Sequence, residues 1–298
     1  MEYNPKTASA GDRLFDIAVY AILTMAALAT LYPLLYILSA SFSDPMAIVK
    51  GKLWLWPQRV TLDSYREVFG NADIWTGYRN SLIYLVVGTT INIVMTTMGA
   101  YALSRKDLVG RHALSLIFTF TLIFNGGLVP TYLTYKNMLG LYDNLWAMVI
   151  PSAVSVWNLI VMRTYFQTSI PYELQEAAFI DGCSNIRTLT RIVLPLSMPI
   201  IAVMTMYYGV AHWNSYFTAL IYLHDGWRQP LQMVIRNILI QEDMSAMTGS
   251  GQSLMDQMLK AEGMKYAVIV VSSLPMLLMY PLVQKHFVKG VMMGAVKG

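Results

Sequence analysis

PYELQEAAFIDGCSNIRTLTRIVLPLSMP, running from Pro171 to Pro199, is polar and charged and lies between two long stretches without a charged residue. Its first half reads as a short helix. Pro171 stands where a first-turn proline is tolerated, and Glu173 and Glu176 fall early, where the helix dipole favours carboxylates. Gly182 offers a left-handed stop, and Ser184 can cap a second short helix that runs to the Leu194–Pro195 break. Two helices joined at a glycine make a compact, exposed knob. Between two apolar spans, such a knob is a handle for something outside the membrane to push.

Composition extends this reading to the whole chain. Of 298 residues, 56% are hydrophobic and 13% charged, with a mean hydropathy of +0.47, whereas soluble domains carry about 25% charged residues. The single cysteine, Cys183, excludes a disulfide within the chain. A net charge of +4 is mild, and nothing in it points to nucleic acid. The opening MEYNPKTASAGDRLFD is polar and lacks a small-residue cleavage site, so it is expected to be a tail that stays in the cytoplasm.

Charge-free windows fall between Asp16 and Asp44, Arg79 and Arg105, His112 and Lys136, Asp143 and Arg163, Arg191 and His224, and Lys265 and Lys285. Each is long enough for a helix to cross a hydrocarbon core, which takes roughly 17 to 25 residues. The windows are continuously apolar instead of alternating, which excludes barrel strands. The fold class is therefore all-α, a polytopic membrane protein with six transmembrane helices and both termini on one side. With the termini inside, the inner segments hold 11 basic residues against 7 acids, and the outer loops hold 10 of each. The positive-inside rule then puts both termini and the knob in the cytoplasm.

Outside the spans, residues 43–79 carry Trp54 and Trp56, then Leu62, Tyr65, Val68 and Phe69 at helical spacing. They read as an interfacial helix with an aromatic anchor, or as a docking surface. Residues 224–265 form the longest loop, with Gly249-Ser250-Gly251 as its expected flexible tip.

Polar residues within the spans have two readings. Asn92, Asn125 and Asn158 lie at or near mid-span, and Tyr207, Tyr208, Trp213, Asn214 and Tyr216 crowd the fifth segment. They can be glue between helices and anchors at the interface, or they can line a wet pathway. Aromatic faces beside amides suit sugar rings, with their apolar C–H faces and hydroxyl rims. Asn125, Asn158, Tyr207, Tyr208, Trp213, Asn214 and Tyr216 are the candidate pathway residues, with the cluster around Trp213 and Asn214 foremost. Pro33, Pro130, Pro151, Pro199 and Pro275 are candidate kinks.

Catalytic motifs are absent. Gly51-Lys52 does not complete a phosphate-binding loop, since Met46 stands where the first glycine belongs and Leu53 follows. The four histidines are too dispersed to make a metal site by spacing, and no HExxH or GxSxG occurs. No catalytic residue, cofactor or metal is expected in this chain. Energy for active transport must come from a partner or an ion gradient. A secondary transporter would call for intramembrane carboxylates, and no window contains Asp or Glu.

EAAFIDG at 176–182, followed after nine residues by IVLP at 192–195, resembles the EAA loop of the membrane subunits of bacterial ABC importers. Nearly the whole chain is similar to the smaller permease partner of maltose-type carbohydrate importers. The opening DRLFDIAVYAILTMAALATLYPLLYILSASFSDP and closing FVKGVMMGAVKG resemble the subfamily handling complex oligosaccharides and polysaccharide fragments, with an alginate importer subunit as one specific candidate. Cys183 stands where many relatives have alanine. The resemblance implies a type I ABC importer permease fold in the bacterial inner membrane, forming half of an oligosaccharide pathway. Neutral-sugar or other solute specificity stays open. It further implies a homologous second permease, two ATPase subunits that bind the ATP and magnesium, and an extracytoplasmic solute-binding protein. ATPase coupling then falls to Glu176, Ala177, Ala178, Asp181, Gly182, Arg187, Leu194 and Pro195, with Arg191 as a further charge contact. The resulting division is a cytoplasmic tail (1–13), a first helix with its outer loop (14–79), the transmembrane core (80–285) with its coupling loop (166–192), and a C-terminal tail (286–298). In the family such a tail inserts between the ATPases. The GxxxG spacing of Gly290 and Gly294 lies beyond the last span.

Overall fold

The computed structural model of the chain describes residues 10–248 and 252–295, and every regular element among them is helical. The chain falls into two compact units: the residues up to Asn71 with Asn237–Val271, and Ala72–Arg236 with the residues from Ser272 on.

In the first unit, α1 (Ala10–Ser41) is apolar on all sides and leaves Leu23, Met25 and Leu34 exposed. That surface suits lipid or another apolar partner. Only its end is packed, where Ala40 meets Ile48 and Leu53 with Tyr36 and Tyr266 against them. The short α2 (Pro45–Val49) begins at Asp44, whose carboxylate accepts the Met46 N–H at 3.0 Å. The helical spacing at Leu62–Phe69 becomes α3 (Asp63–Gly70). Val68 is buried, while Tyr65 packs on Phe42 with ring centres 5.0 Å apart and donates to Ser41 Oγ at 2.9 Å. Trp54 and Trp56 are exposed.

The second unit holds α4 (Ala72–Ser104), α5 (Arg111–Ile123), α6 (Leu128–Leu133), α7 (Leu145–Val149), α8 (Val156–Ser169), α9 (Tyr172–Ile180), α10 (Asn185–Thr188), α11 (Leu194–Leu196), α12 (Met198–Trp213) and α13 (Tyr216–Tyr222). Both α14 (Leu231–Thr248) and α15 (Gln252–Ala295) contribute residues to each unit. Helix α4 is the axis, with α8 and α12 packed along it. Its small residues, Gly88 among them, let backbones approach, and Ser81, Thr96 and Thr97 supply hydrogen bonds where lipid has none to offer. Around it Tyr101, Leu103, Leu159, Met162, Phe166, Leu189, Val193, Met204 and Tyr208 form one apolar core.

All six charge-free windows correspond to candidate spans, but only three are continuous: Gly11–Ser41, Ala72–Ser104 and Leu259–Pro281. The others are bent pairs, Arg111–Ile123 with Leu128–Met138 at 114°, Leu145–Ser152 with Val156–Ser169 at 50°, and Asn185–Leu196 with Met198–Trp213 at 86°. A proline lies within a few residues of each break: Pro130, Pro151 and Pro199. At the first break Gly127 adopts φ +87°, which a side chain would resist. The stretch 224–265, expected as an outer loop, is largely helical. Leu231, Met233, Val234 and Ile235 are buried and open α14, and this run is too short to register as a charge-free window. The expected tip at 249–251 lies outside the described residues, as do residues 1–9 of the N-terminal tail and 296–298 of the C-terminal tail.

Candidate functional site

A cavity of about 540 Å³ opens in the second unit between the α7–α8 break and the C-terminal half of α12. Asn158, Tyr207, Tyr208, His212 and Asn214 line it, with Ser152, Ser155, Ser215 and Thr218 adding hydroxyls. No Asp, Glu, Lys or Arg is among its lining residues. The volume lies in the range of small-ligand sites, and hydroxyl and amide groups beside tyrosine rings are the surface a carbohydrate requires.

The wall is held by a buried polar frame. His212 Nε2–H donates to Asn92 Oδ1 at 2.6 Å, and the Asn92 amide donates in turn to the Ser152 carbonyl at the α7–α8 break. One turn along both helices, the Tyr208 hydroxyl lies 2.7 Å from Thr96 Oγ1 and accepts the Ser155 N–H at 3.2 Å. Backbone groups freed by the break are therefore answered by α4 and α12, as burial in an apolar surrounding demands. Gly88 makes room for this frame: a Cβ there would lie 2.3 Å from His212 Nε2.

Not every expected pathway residue meets the cavity. Asn158, Tyr207, Tyr208 and Asn214 do. Trp213 is instead wholly buried, its indole N–H donating to the Ser272 carbonyl at 3.1 Å and its ring edge-on to Tyr78. Tyr216 is exposed and outside the lining, and Asn125 shapes the α5–α6 turn by accepting the Gly127 N–H at 2.9 Å. The sequence reading missed His212, treating it as one of four scattered histidines. Its signal was the four-residue spacing from Tyr208, which puts both on one face of α12.

The knob has the expected outline. Pro171 precedes α9 as its cap residue, and Gly182 ends it at φ +72°, with the Cys183 N–H returning to the Ala178 carbonyl at 2.9 Å. Ser184 caps α10, its Oγ accepting the Arg187 N–H at 3.4 Å. The helical course does not stop at Leu194–Pro195. A π-turn at Leu189–Val193 comes directly before α11, loosening the hydrogen-bond ladder just where Pro195 supplies no N–H, and the chain turns only at Ser197. Glu176, Ala177, Asp181, Gly182, Arg187, Arg191 and Pro195 are exposed, Leu194 is half-buried, and Ala178 is buried beneath α9. The two alanines thus divide, one facing outward and one packing inward. Phe179, Ile180 and Ile186, which the sequence reading did not single out, are 73%, 83% and 75% exposed. Large apolar side chains ringed by charge mark a surface made to be covered.

The model of the family described as "binding-protein-dependent transport system inner membrane component" matches residues 7–293. A polygalacturonan/rhamnogalacturonan transport system permease protein, YtcP of Bacillus subtilis, is 42% identical, over 96% of this chain and 99% of that protein. Protein LplC of the same organism is 39% identical, over 96% of each chain. Among solved structures, one from a bacterial ABC transporter involved in import of the acidic polysaccharide alginate aligns with a TM-score of 0.85 and 33% identity, covering 94% of this chain and 99% of that one.

Proposed function

The chain belongs to the family of binding-protein-dependent transport system inner membrane components, and from that premise we propose how this member works, what it carries and how it is driven. It is a non-catalytic permease subunit of a sugar ABC importer, and ATP hydrolysis belongs to a partner ATPase. Its cavity forms half of a pathway whose other half comes from a second, homologous permease. The exposed patch of Phe179, Ile180 and Ile186, with Glu176 and Arg187 beside it, docks on one of two ATPase subunits. An extracytoplasmic binding protein delivers the sugar on the face opposite the knob, and the termini lie on the knob's side, in the cytoplasm.

One observation supports coupling above the rest. Leu189 and Val193, at the knob's root, lie in the same apolar core as Met204 and Tyr208, and Tyr208 is part of the cavity wall. Close-packed interiors transmit displacement instead of absorbing it. Closure of the ATPases would therefore move the wall by moving the knob, provided nucleotide binds the two states unequally.

The cargo we infer is an acidic oligosaccharide. The polygalacturonan/rhamnogalacturonan permease and the alginate importer, both alike over nearly the full chain, support this reading. A neutral oligosaccharide is the second reading, favoured by a lining without Lys or Arg, which leaves hydroxyl and amide donors to meet any carboxylate. The deciding measurement is ATPase activity of the reconstituted complex with its binding protein. Stimulation by uronate oligomers alone is expected. Stimulation by neutral oligomers alone would discard the acidic cargo and keep the importer.

A further inference from the structure

A second cavity, of about 350 Å³, lies in the same unit at the foot of the knob, where α4 ends at Ser104 and α5 begins at Arg111. Lys106, Arg111, Tyr172 and Gln175 are among the residues lining it. Three candidate spans have an end here: Ala72–Ser104, the pair opening at Arg111 and the pair closing at Ser169. The cavity is therefore at the level where apolar crossings give way to polar chain, which in a bilayer is the headgroup layer.

Its charge is one-sided. Asp107, the acid of this loop, is held by Arg105 through two bonds, Nε to Oδ1 at 2.8 Å and Nη2 to Oδ2 at 2.7 Å. Those bonds keep its carboxyl below the usual carboxylate range, so it is ionised and already matched. Among the described residues, neither Lys106 nor Arg111 makes an ion pair. Lys106 Nζ rests 4.4 Å from the centre of the Tyr172 ring, and Arg111 spends one N–H on the Arg105 carbonyl at 3.4 Å. Gln175 is only 8% exposed, and its side-chain oxygen is buried without a hydrogen-bond partner. A buried carbonyl oxygen left unmatched is costly and calls for a donor such as a ligand hydroxyl, while Lys106 and Arg111 beside it call for an anion.

We propose that this cavity binds a phosphate-bearing ligand, with Lys106 and Arg111 meeting the phosphate and Gln175 completing the site. The amide can offer its nitrogen to a phosphate oxygen or its oxygen to a neighbouring hydroxyl. A glycerophospholipid headgroup and a free phosphate share this chemistry. The position at the span ends favours the lipid, since basic pockets between spans take anionic headgroups.

The test uses the assembled transporter in detergent, with binding of dioctanoyl phosphatidylglycerol, dioctanoyl phosphatidylcholine and inorganic phosphate measured on wild type, Lys106→Gln, Arg111→Gln and the double variant. Phosphatidylglycerol is expected to bind, with affinity falling roughly fivefold for each cation removed and about thirtyfold for both. Lys106→Arg should retain it, which separates loss of charge from loss of fold. Phosphatidylglycerol binding without competition from inorganic phosphate identifies a lipid site, whereas equal competition identifies a soluble phosphate site. Both results support the assignment. It is overturned if the double variant binds like wild type, or if wild type binds neither anion. It is also overturned if the isolated chain binds and the assembled complex does not, because a partner protein then fills the cavity.

Discussion

Gly88 has no side chain, and His212 occupies the space one would need. A methyl group there would fall 2.3 Å from the ring nitrogen that donates to Asn92. Gly88→Ala raises helix propensity by about 1 kcal/mol, but it forces the imidazole aside and opens the Asn92 link to the α7–α8 break. Contacts this short belong at the upper end of the roughly 3 kcal/mol that overpacking costs, so the net expectation is a loss of about 2 kcal/mol. Thermal unfolding of the purified complex would register it as a lower midpoint, and an unchanged midpoint would show that the frame yields without cost. His212 also marks where reading from sequence stopped short. Asn158, Tyr207, Tyr208 and Asn214 were legible as polar groups in apolar windows, because lipid leaves such groups few other places. Trp213 carries the same polar signal and is buried in the core, since an indole N–H can be satisfied by a single carbonyl. Only three-dimensional packing separates these cases.

The knob was the most legible element, because its signals are local: a capping serine, a turning glycine, carboxylates in the first turns. The bends in three spans were not, since hydropathy counts apolar residues and does not see backbone direction. A proline near each break was the available clue, but prolines also lie inside α1 and α15, which are continuous. For the docking proposed at the knob, exposure tells more than charge. Phe179 and Ile180 contribute nothing to the core of this chain, so Phe179→Ser with Ile180→Asp should leave its own stability within about 0.5 kcal/mol, as is usual for surface positions. The same double variant should weaken ATPase docking by about 30-fold or more if the pair is an interface hot spot. Co-purification of the ATPase with the variant at wild-type yield, together with full cargo-stimulated hydrolysis, would assign coupling elsewhere. A variant that no longer copurifies yet keeps its own unfolding midpoint would place docking on this patch.

At the scale of the whole molecule, formal charge is nearly absent from the apolar windows, and the 540 Å³ cavity is lined by no Asp, Glu, Lys or Arg. An intramembrane cation, Arg163, donates to Ser115 at the α5–α8 contact and is not among the cavity's lining residues. This neutrality has an electrical consequence. Walls without Asp, Glu, Lys or Arg move none of those charges through the membrane field when they rearrange, so movement of the cavity wall should itself draw little gating current. Potential can then act only on the cargo, at about 2.3 kcal/mol per elementary charge per 100 mV. In vesicles with an imposed potential, uptake of a neutral oligosaccharide should not respond to voltage. Uptake of a uronate oligomer should slow as the interior becomes more negative, more steeply with each added sugar acid. A voltage response with neutral cargo would mean that charge elsewhere in the complex crosses the field. For this pathway, the voltmeter reads the valence of what is carried, because the wall around it holds no Asp, Glu, Lys or Arg.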